Sequence, residues 1–229
     1  MNAKISEIFQ SIQGEGPYAG VRQVFVRFYG CNMHCSWCDT PYAIGDVPGR
    51  FKEYFLEKLL KEVKALAKDC HSISLTGGEP LVQKDFLKEL LPPLKKLGRK
   101  IYLETNGIMP QALKEIIRHV DIVAMDIKLP SSTKCKSYWQ EHAEFLKIAK
   151  KRDVFIKAVV SSDTSKEDIE KTVKLIAKIA DKTLFILQPN FFEIKNGVLS
   201  KCFAFQNYSL KYLASVRVIP QMHKFMKLR

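Results

Sequence analysis

The chain has 229 residues, 46% of them hydrophobic, and no run near the roughly 18 apolar residues that a membrane span needs. Its 37 Lys and Arg against 24 Asp and Glu give a formal charge of +13, but the lysines lie along amphipathic stretches interleaved with acids, as on solvated helix faces. That pattern excludes a membrane protein and argues against direct nucleic-acid binding, which calls for a dense Arg patch with aromatics. With no repeat, linker or low-complexity segment, the sequence reads as a single domain over residues 1–229. Six cysteines are few for this length and no apolar secretory segment opens the chain, so a reducing, cytoplasmic setting is expected.

In chain order, residues 5–18 begin as a short strand and end in the turn Gly14-Glu15-Gly16-Pro17. Glycines flanking Glu15 would let backbone approach a ligand, although an ordinary tight turn is the simpler account of the pattern. Residues 21–29 alternate around Val24, Val26 and Phe28 as a strand. Arg27 points opposite to that set, and an arginine in a core strand is costly unless it meets an anion. Cys31, Cys35 and Cys38 follow at a C-x3-C-x2-C spacing. Three thiolates are one short of a closed zinc site or a standard iron–sulfur cluster, so one metal would keep an open position. A zinc reading needs a fourth ligand, for which His34 or Cys70 is nearest. Cys70, Cys135 and Cys202 have no close partner in sequence and read as small hydrophobes.

Beyond the cysteines, helices and strands alternate. The apolar spacing predicts a helix over 53–68, a strand over 72–76 leading into Gly77-Gly78-Glu79-Pro80, and a helix over 83–97. A strand over 100–105 and a helix opened by Pro110 come next, then a strand over 121–126 and a helix over 136–149. A strand over 154–160, a capped helix over 165–180 and a strand over 183–188 follow; a helix over 200–213, residues 215–219 and a basic tail end the chain. Six or so strands alternating with helices imply parallel pairing through right-handed crossovers, an α/β fold of the partial or complete (β/α)6 barrel type with a mostly parallel sheet. Sites in such barrels gather at the C-terminal strand ends. Arg27 with the cysteines, Thr76 with Gly77-Gly78-Glu79, Glu104 to Gly107, Asp126 to Lys128, and Gln188 to Asn190 all fall there, where chance would scatter them.

The cysteine spacing with Trp37 just before the third cysteine, joined to Thr76-Gly77-Gly78-Glu79-Pro80, resembles the radical S-adenosylmethionine (SAM) superfamily. That resemblance implies a 4Fe–4S cluster on Cys31, Cys35 and Cys38, its fourth iron chelated by the amino and carboxylate groups of SAM, with Glu79 in the motif that receives the SAM amino group. Within the superfamily, Phe9 to Pro17, Arg27 to Asn32, Trp37 to Thr40 and the tail Arg217 to Phe225 resemble the 7-carboxy-7-deazaguanine synthase family. The implied reaction is a lyase-type ring contraction of 6-carboxy-5,6,7,8-tetrahydropterin to 7-carboxy-7-deazaguanine with loss of ammonia, in queuosine biosynthesis, SAM being regenerated. By the same resemblance, Thr40 contacts Mg2+. Ile12, Gln13, Gly14, Glu15, Arg27, Thr76, His223 and the C-terminal Arg229 bind substrate. Trp37, Cys38, Asp39, Gly78, Glu79, Asp126, Ile127, Lys128, Gln188, Pro189, Asn190 and Phe191 bind SAM. The run Met125 to Pro130 resembles other radical-SAM enzymes more than the family resemblance would lead one to expect, which bears on the SAM contacts of that strand. A homodimer and a separate electron donor such as flavodoxin or ferredoxin are implied as well. Two rivals stand beside this reading. A radical-SAM activase of a glycyl radical enzyme would want a peptide-wide site and gives no reason for Arg27. A zinc-stabilised RNA-binding module would draw on the net charge.

Overall fold

The computed structural model describes residues 1–45 and 50–228. Strand β1 (Asn2–Ile12) runs antiparallel to β2 (Arg22–Phe28), and its start also pairs antiparallel with β3 (Lys52–Phe55). From β2 the sheet continues in parallel through β4 (Ser72–Gly77), β5 (Lys100–Thr105), β6 (Ile122–Asp126), β7 (Asp153–Val160), β8 (Phe185–Pro189) and β9 (Val216–Val218). The order β3-β1-β2-β4-β5-β6-β7-β8-β9 is an open nine-stranded sheet, so the barrel is partial.

Six helices connect the strands: α1 (Leu56–Leu66), α2 (Lys84–Lys95), α3 (Pro110–Ile116), the short α4 (Pro130–Thr133), α5 (Trp139–Ala149) and α6 (Lys166–Ala180). Two more, α7 (Val198–Ser209) and α8 (Met222–Phe225), flank the last strand. The helices pack in succession, α1 on α2, α2 on α3, α3 on α5, α5 on α6 and α6 on α7, along one face of the sheet. Each buries one apolar stripe, such as Phe86, Leu87, Leu90, Leu91 and Leu94 of α2. Alternate strand residues meet them: Val24 and Val26, Ile73 and Leu75, Ile101 and Leu103, Val123 and Met125, Ile156 and Ala158, all in one apolar core. Each buried Leu or Ile contributes roughly 1.5–3 kcal/mol.

Several boundaries differ from the sequence pattern, each for a physical reason. The helix expected over 53–68 starts at Leu56, because Lys52–Phe55 pair with β1 as a strand. Residues 136–138 stay outside α5 while α4, too short to show a period, forms ahead of them. The first strand covers 11 residues where a short one was expected, since pairing on both sides extends it. Helix α6 begins where expected: the Ser165 hydroxyl accepts from the Asp168 N–H at 3.1 Å.

The other face of the sheet is concave. Its lower part is plugged by Tyr102, Ile122, Ala124, Phe155 and Ile186, with Tyr18 packed against them. Tyr18 comes from the turn after β1, sets its ring edge-on to Tyr102 at 5.8 Å and donates its hydroxyl to Asp153. Above that plug, at the C-terminal strand ends, the concave face is polar and encloses a cavity of about 460 Å³.

Candidate active site

The cysteine loop follows β2 directly and forms one wall of the cavity. Cys31, Cys35 and Cys38 are all half-buried, free of disulfides, and line the space. Their loop is fastened at both ends. The Gly30 and Cys31 N–H groups donate to the Ala43 and Ile44 carbonyls at 2.8 and 2.7 Å. Ser36 N–H reaches the Thr133 carbonyl at 3.0 Å, and the Trp37 indole donates to the Ser132 hydroxyl at 2.9 Å, so α4 is the buttress of the loop. Burial pushes the Cys31 thiol up to about 11 and the Cys35 thiol up to about 12, so both are protonated before metal arrives and metal uptake releases those protons.

The ligand set separates a cluster from a single ion. Among the described residues, one group of three His, Cys, Asp or Glu ligand atoms lies within 4.8 Å of one another, that of Glu15, Asp39 and His223. A lone tetrahedral zinc with Zn–S bonds of about 2.3 Å would draw its sulfurs to roughly 3.8 Å apart. Three free thiols on a pinned loop, all lining one cavity wall, supply three thiolates and no fourth, the donor set of a cluster that keeps one iron open.

The two glycines at the end of β4, Gly77 and Gly78, serve packing. A Cβ on Gly77 would lie 2.2 Å from the Phe28 carbonyl oxygen, and one on Gly78 2.2 Å from that of Gly30, so the cysteine loop seats on β4 only because both are glycine. Glu79, expected to meet the SAM ammonium, is fully buried below the cavity. Its carboxylate accepts from the Leu81 and Asn106 N–H groups at 3.1 and 2.7 Å and from the Thr105 hydroxyl at 3.0 Å. Burial pushes its pKa up to about 7 against the pull of those donors. Glu79 thus ties β4 to β5 under the site.

Of the other sequence-predicted residues, the structure brings Ile12, Gln13, Gly14, Glu15, Arg27, Trp37, Asp39, Thr40, Thr76, Gly78, Asp126, Lys128, Gln188, Asn190 and His223 to the same cavity. Ile127 and Pro189 are buried outside it, because strand alternation turns them from the concave side next to Asp126 and Gln188. Phe191 instead packs edge-on to Phe192 and Phe225 at 5.8 and 5.3 Å. Arg229 lies outside the described residues.

The cavity floor is a charged network that the sequence motifs did not reveal. Glu104 of β5 accepts from Gln13 Nε2 at 2.9 Å, Thr76 Oγ1 at 2.8 Å and Ser74 Oγ at 3.3 Å. Gln13 also donates to Gln23 at 2.9 Å, so its side chain is committed to the protein. Lys157 of β7 pairs with Glu15 and lies 3.5 Å from Asp126, which in turn holds Lys128 at 2.9 Å. Burial opposes the charge on both lysines, but Glu15 and Asp126 outweigh it at Lys157, and Asp126 and Cys35 at Lys128, so both pKa values rise above the usual lysine range. At Glu15, burial raises the pKa, yet Lys157 brings it below the ordinary carboxylate value. Of the cavity-lining residues, Asp126 Oδ1 and Gln188 Oε1 are buried acceptors with no partner among the described residues. The one signal for this network in the sequence was a charged residue at the inward phase of an apolar strand, Glu104 in Ile101–Thr105 and Lys157 in Val154–Val160.

Arg27 also lines the cavity, with Nε on the Glu7 carboxylate at 2.7 Å and Tyr42 donating to the same oxygen at 2.7 Å. The basic tail crosses the mouth. Met222 N–H donates to the Gly14 carbonyl at 2.8 Å, and Gln221 Nε2 bridges Glu15 at 2.8 Å and Asp39 at 2.9 Å. Lys224 pairs with Asp39 at 3.0 Å; burial raises the Asp39 pKa, but Lys224 outweighs it and holds the carboxyl at about 2. A Cβ on Gly14 would lie 2.5 Å from the His223 backbone nitrogen, so that glycine admits the tail.

Comparison with known proteins agrees with this geometry. The Radical SAM superfamily matches residues 25–176. The 7-carboxy-7-deazaguanine synthase of Geobacter sulfurreducens is 42% identical, over 98% of this chain and 97% of its own. That of Thermoplasma acidophilum is 34% identical, over 96% of this chain and 95% of its own. The crystal structure of QueE from Escherichia coli superposes with a TM-score of 0.66 at 24% identity, covering 97% of this chain and 95% of that one, which bears on the fold. The chain belongs to the radical SAM superfamily and, within it, to the 7-carboxy-7-deazaguanine synthases.

Proposed function

We propose that this cavity performs the ring contraction of 6-carboxy-5,6,7,8-tetrahydropterin to 7-carboxy-7-deazaguanine with release of ammonia. The observation that carries the proposal is a single cavity lined by three free cysteines on one side and by the polar floor of Arg27, Glu15, Glu104 and Lys157 on the other. When bound on Cys31, Cys35 and Cys38, the cluster with SAM supplies the hydrogen-abstracting radical. The chain's own residues do the rest. Arg27, steadied through Nε by Glu7, offers a guanidinium to the substrate carboxylate. Glu104, held by Gln13 and Thr76, and Glu15 offer acceptors to the N–H groups of the amino-pyrimidinone. Gln13 and Thr76 then act by orienting Glu104. Asp126 Oδ1 and Gln188 Oε1 are acceptors awaiting donors, which suits the hydroxyl and ammonium groups of SAM. The tail laid over the mouth by Gln221, His223 and Lys224 excludes water from the reacting centre.

Thr40 lines the same cavity beside Asp39, and with the substrate carboxylate it offers the oxygen donors that Mg2+ prefers. A homodimer, an external electron donor and a cytoplasmic setting complete the proposal, the last supported by six free cysteines. Among the described residues, no helix is long and apolar enough to cross a membrane. The test is reduced, cluster-loaded protein with SAM and 6-carboxytetrahydropterin, read by mass spectrometry. Deazaguanine acid and ammonia are expected; SAM breakdown without them rejects the substrate and leaves the radical class standing. Arg27→Ala should lower substrate turnover far more than uncoupled SAM cleavage, and equal losses would remove its carboxylate role.

A further inference from the structure

The turn that follows β1 is laid along β7, residue against residue. Asp153, Phe155 and Lys157 stand two apart on that strand and so share its concave side. Tyr18 donates its hydroxyl to Asp153, Gly16 seats on Phe155, and Glu15 pairs with Lys157. The seat is close: Gly16 has φ 68°, and a Cβ there would lie 2.6 Å from the Phe155 ring. A residue carried by a turn is thereby brought to a fixed point on a rigid strand. The Glu15 backbone is held too, its N–H donating to Gln13 Oε1 at 3.0 Å.

The carboxylate of Glu15 is used on both oxygens. Oε2 takes the Lys157 ammonium and Oε1 takes Gln221 Nε2 at 2.8 Å, and each oxygen keeps a second lone pair for a donor in the cavity. Burial alone would favour the neutral acid, which offers a proton where an acceptor is needed. Lys157 opposes that, against the like charge of Asp39. The other charged groups nearby are otherwise engaged: Lys224 is 3.0 Å from Asp39, and Lys128 is 2.9 Å from Asp126. His223 brings a ring nitrogen within 4.8 Å of the carboxylates of Glu15 and Asp39. Lys157 itself stands between Glu15 and Asp126, with Glu104 in electrostatic range.

We propose that Lys157 is a positioning residue for the reaction: by clamping the Glu15 carboxylate to β7 it presents that carboxylate as a fixed acceptor to the N–H edge of the amino-pyrimidinone. This rests on the reading that Glu15 faces the pterin. Lys157 touches no reacting atom and acts through Glu15.

The test is a double-mutant cycle on cluster-loaded protein with SAM. Calorimetry without reductant reads 6-carboxytetrahydropterin binding, and turnover with reductant reads KM and kcat. Lys157→Met should weaken binding about tenfold, the size of a lost hydrogen bond to a charged group. KM should rise by a similar factor and kcat should fall far less, with iron content and circular dichroism kept. Glu15→Gln should also weaken binding, and Lys157→Met added to it should cost little more, since no carboxylate is left to hold. Lys157→Gln takes the place of the Met variant in the cycle should the latter not fold. Unchanged affinity in the Lys157 variant overturns the proposal. So does a full further loss on the Glu15→Gln background, which would make Lys157 a direct substrate contact. A fall in kcat and iron content at constant KM overturns it as well, leaving Lys157 a structural strut. Failure of the underlying reading shows separately, as Glu15→Gln protein that binds the pterin as tightly as the parent, or as parent protein that does not bind it.

Discussion

On strand β4, Ile73 and Leu75 join the helix-packed core, while Ser72, Ser74 and Thr76 bond to Gln23 and Glu104 on the concave side. Both sets are buried or nearly so, yet they obey different rules. The convex side gains by removing apolar area from water, and any side chain of similar shape serves it. The concave side gains only when each donor finds its acceptor, and it leaves two acceptors, on Asp126 and Gln188, unmatched among the described residues. A folded chain with no ligand to receive would have little reason to keep that second face.

Substitutions on the two sides should therefore fail in different ways. The largest effect is expected at the cavity wall. Cys35→Ala removes a sulfur from the trio, and iron content and SAM cleavage should both be lost while the far-ultraviolet circular dichroism is kept. Next, Lys157→Met leaves the Glu15 carboxylate without its cation and Asp126 with Lys128 alone. Breaking a buried pair from one side costs roughly 3–5 kcal/mol, measurable in urea, and adding Glu15→Gln should recover part of it. On the convex side, Leu75→Ala should cost about 3 kcal/mol through its cavity, with activity per folded molecule unchanged.

His142 of α5 joins the two sides. It is fully buried; its Nε2 accepts from the Lys128 N–H at 3.2 Å and its Nδ1 lies 3.1 Å from the Gly107 carbonyl. Burial lowers its pKa from 6.5 to about 4. The unfolded chain then binds a proton that the folded one refuses, so stability is full above pH 6.5 and falls as the pH drops toward 4. Each pKa unit is worth about 1.4 kcal/mol. Equilibrium unfolding across that window should show the slope, and His142→Gln, able to keep both bonds, should flatten it. The smallest effect is Thr76→Val, which deprives Glu104 of one donor: about 1 kcal/mol of stability, with a rise in substrate KM as the clearer sign.

The same division explains what the sequence revealed. Strand and helix order followed from apolar periodicity, because the convex core is a matter of spacing. The cysteines, Arg27, the Gly77-Gly78 turn and the tail stood out as motifs, and the fold gathers them. What sequence could not reveal was partnership. The sequence showed Glu79, Gln13 and Thr76 as site residues but not that the Glu79 carboxylate bonds across β4 and β5, or that Gln13 and Thr76 bond to Glu104 within the cavity they line. Ile127 and Pro189 were drawn in by their neighbours although alternation turns them away. Lys157 stood unremarked because one lysine in a strand carries no spacing, and its meaning comes from Glu15, 142 residues away in the chain.

The central claim is that three sulfurs leave one iron exposed and that SAM takes that position. Electron paramagnetic resonance of reduced protein, with SAM labelled by nitrogen-15 in its amino group, tests it most directly. The account predicts that adding SAM changes the cluster signal and that the labelled nitrogen shows hyperfine coupling to it. A cluster signal indifferent to SAM, with no coupling to the label, would contradict it.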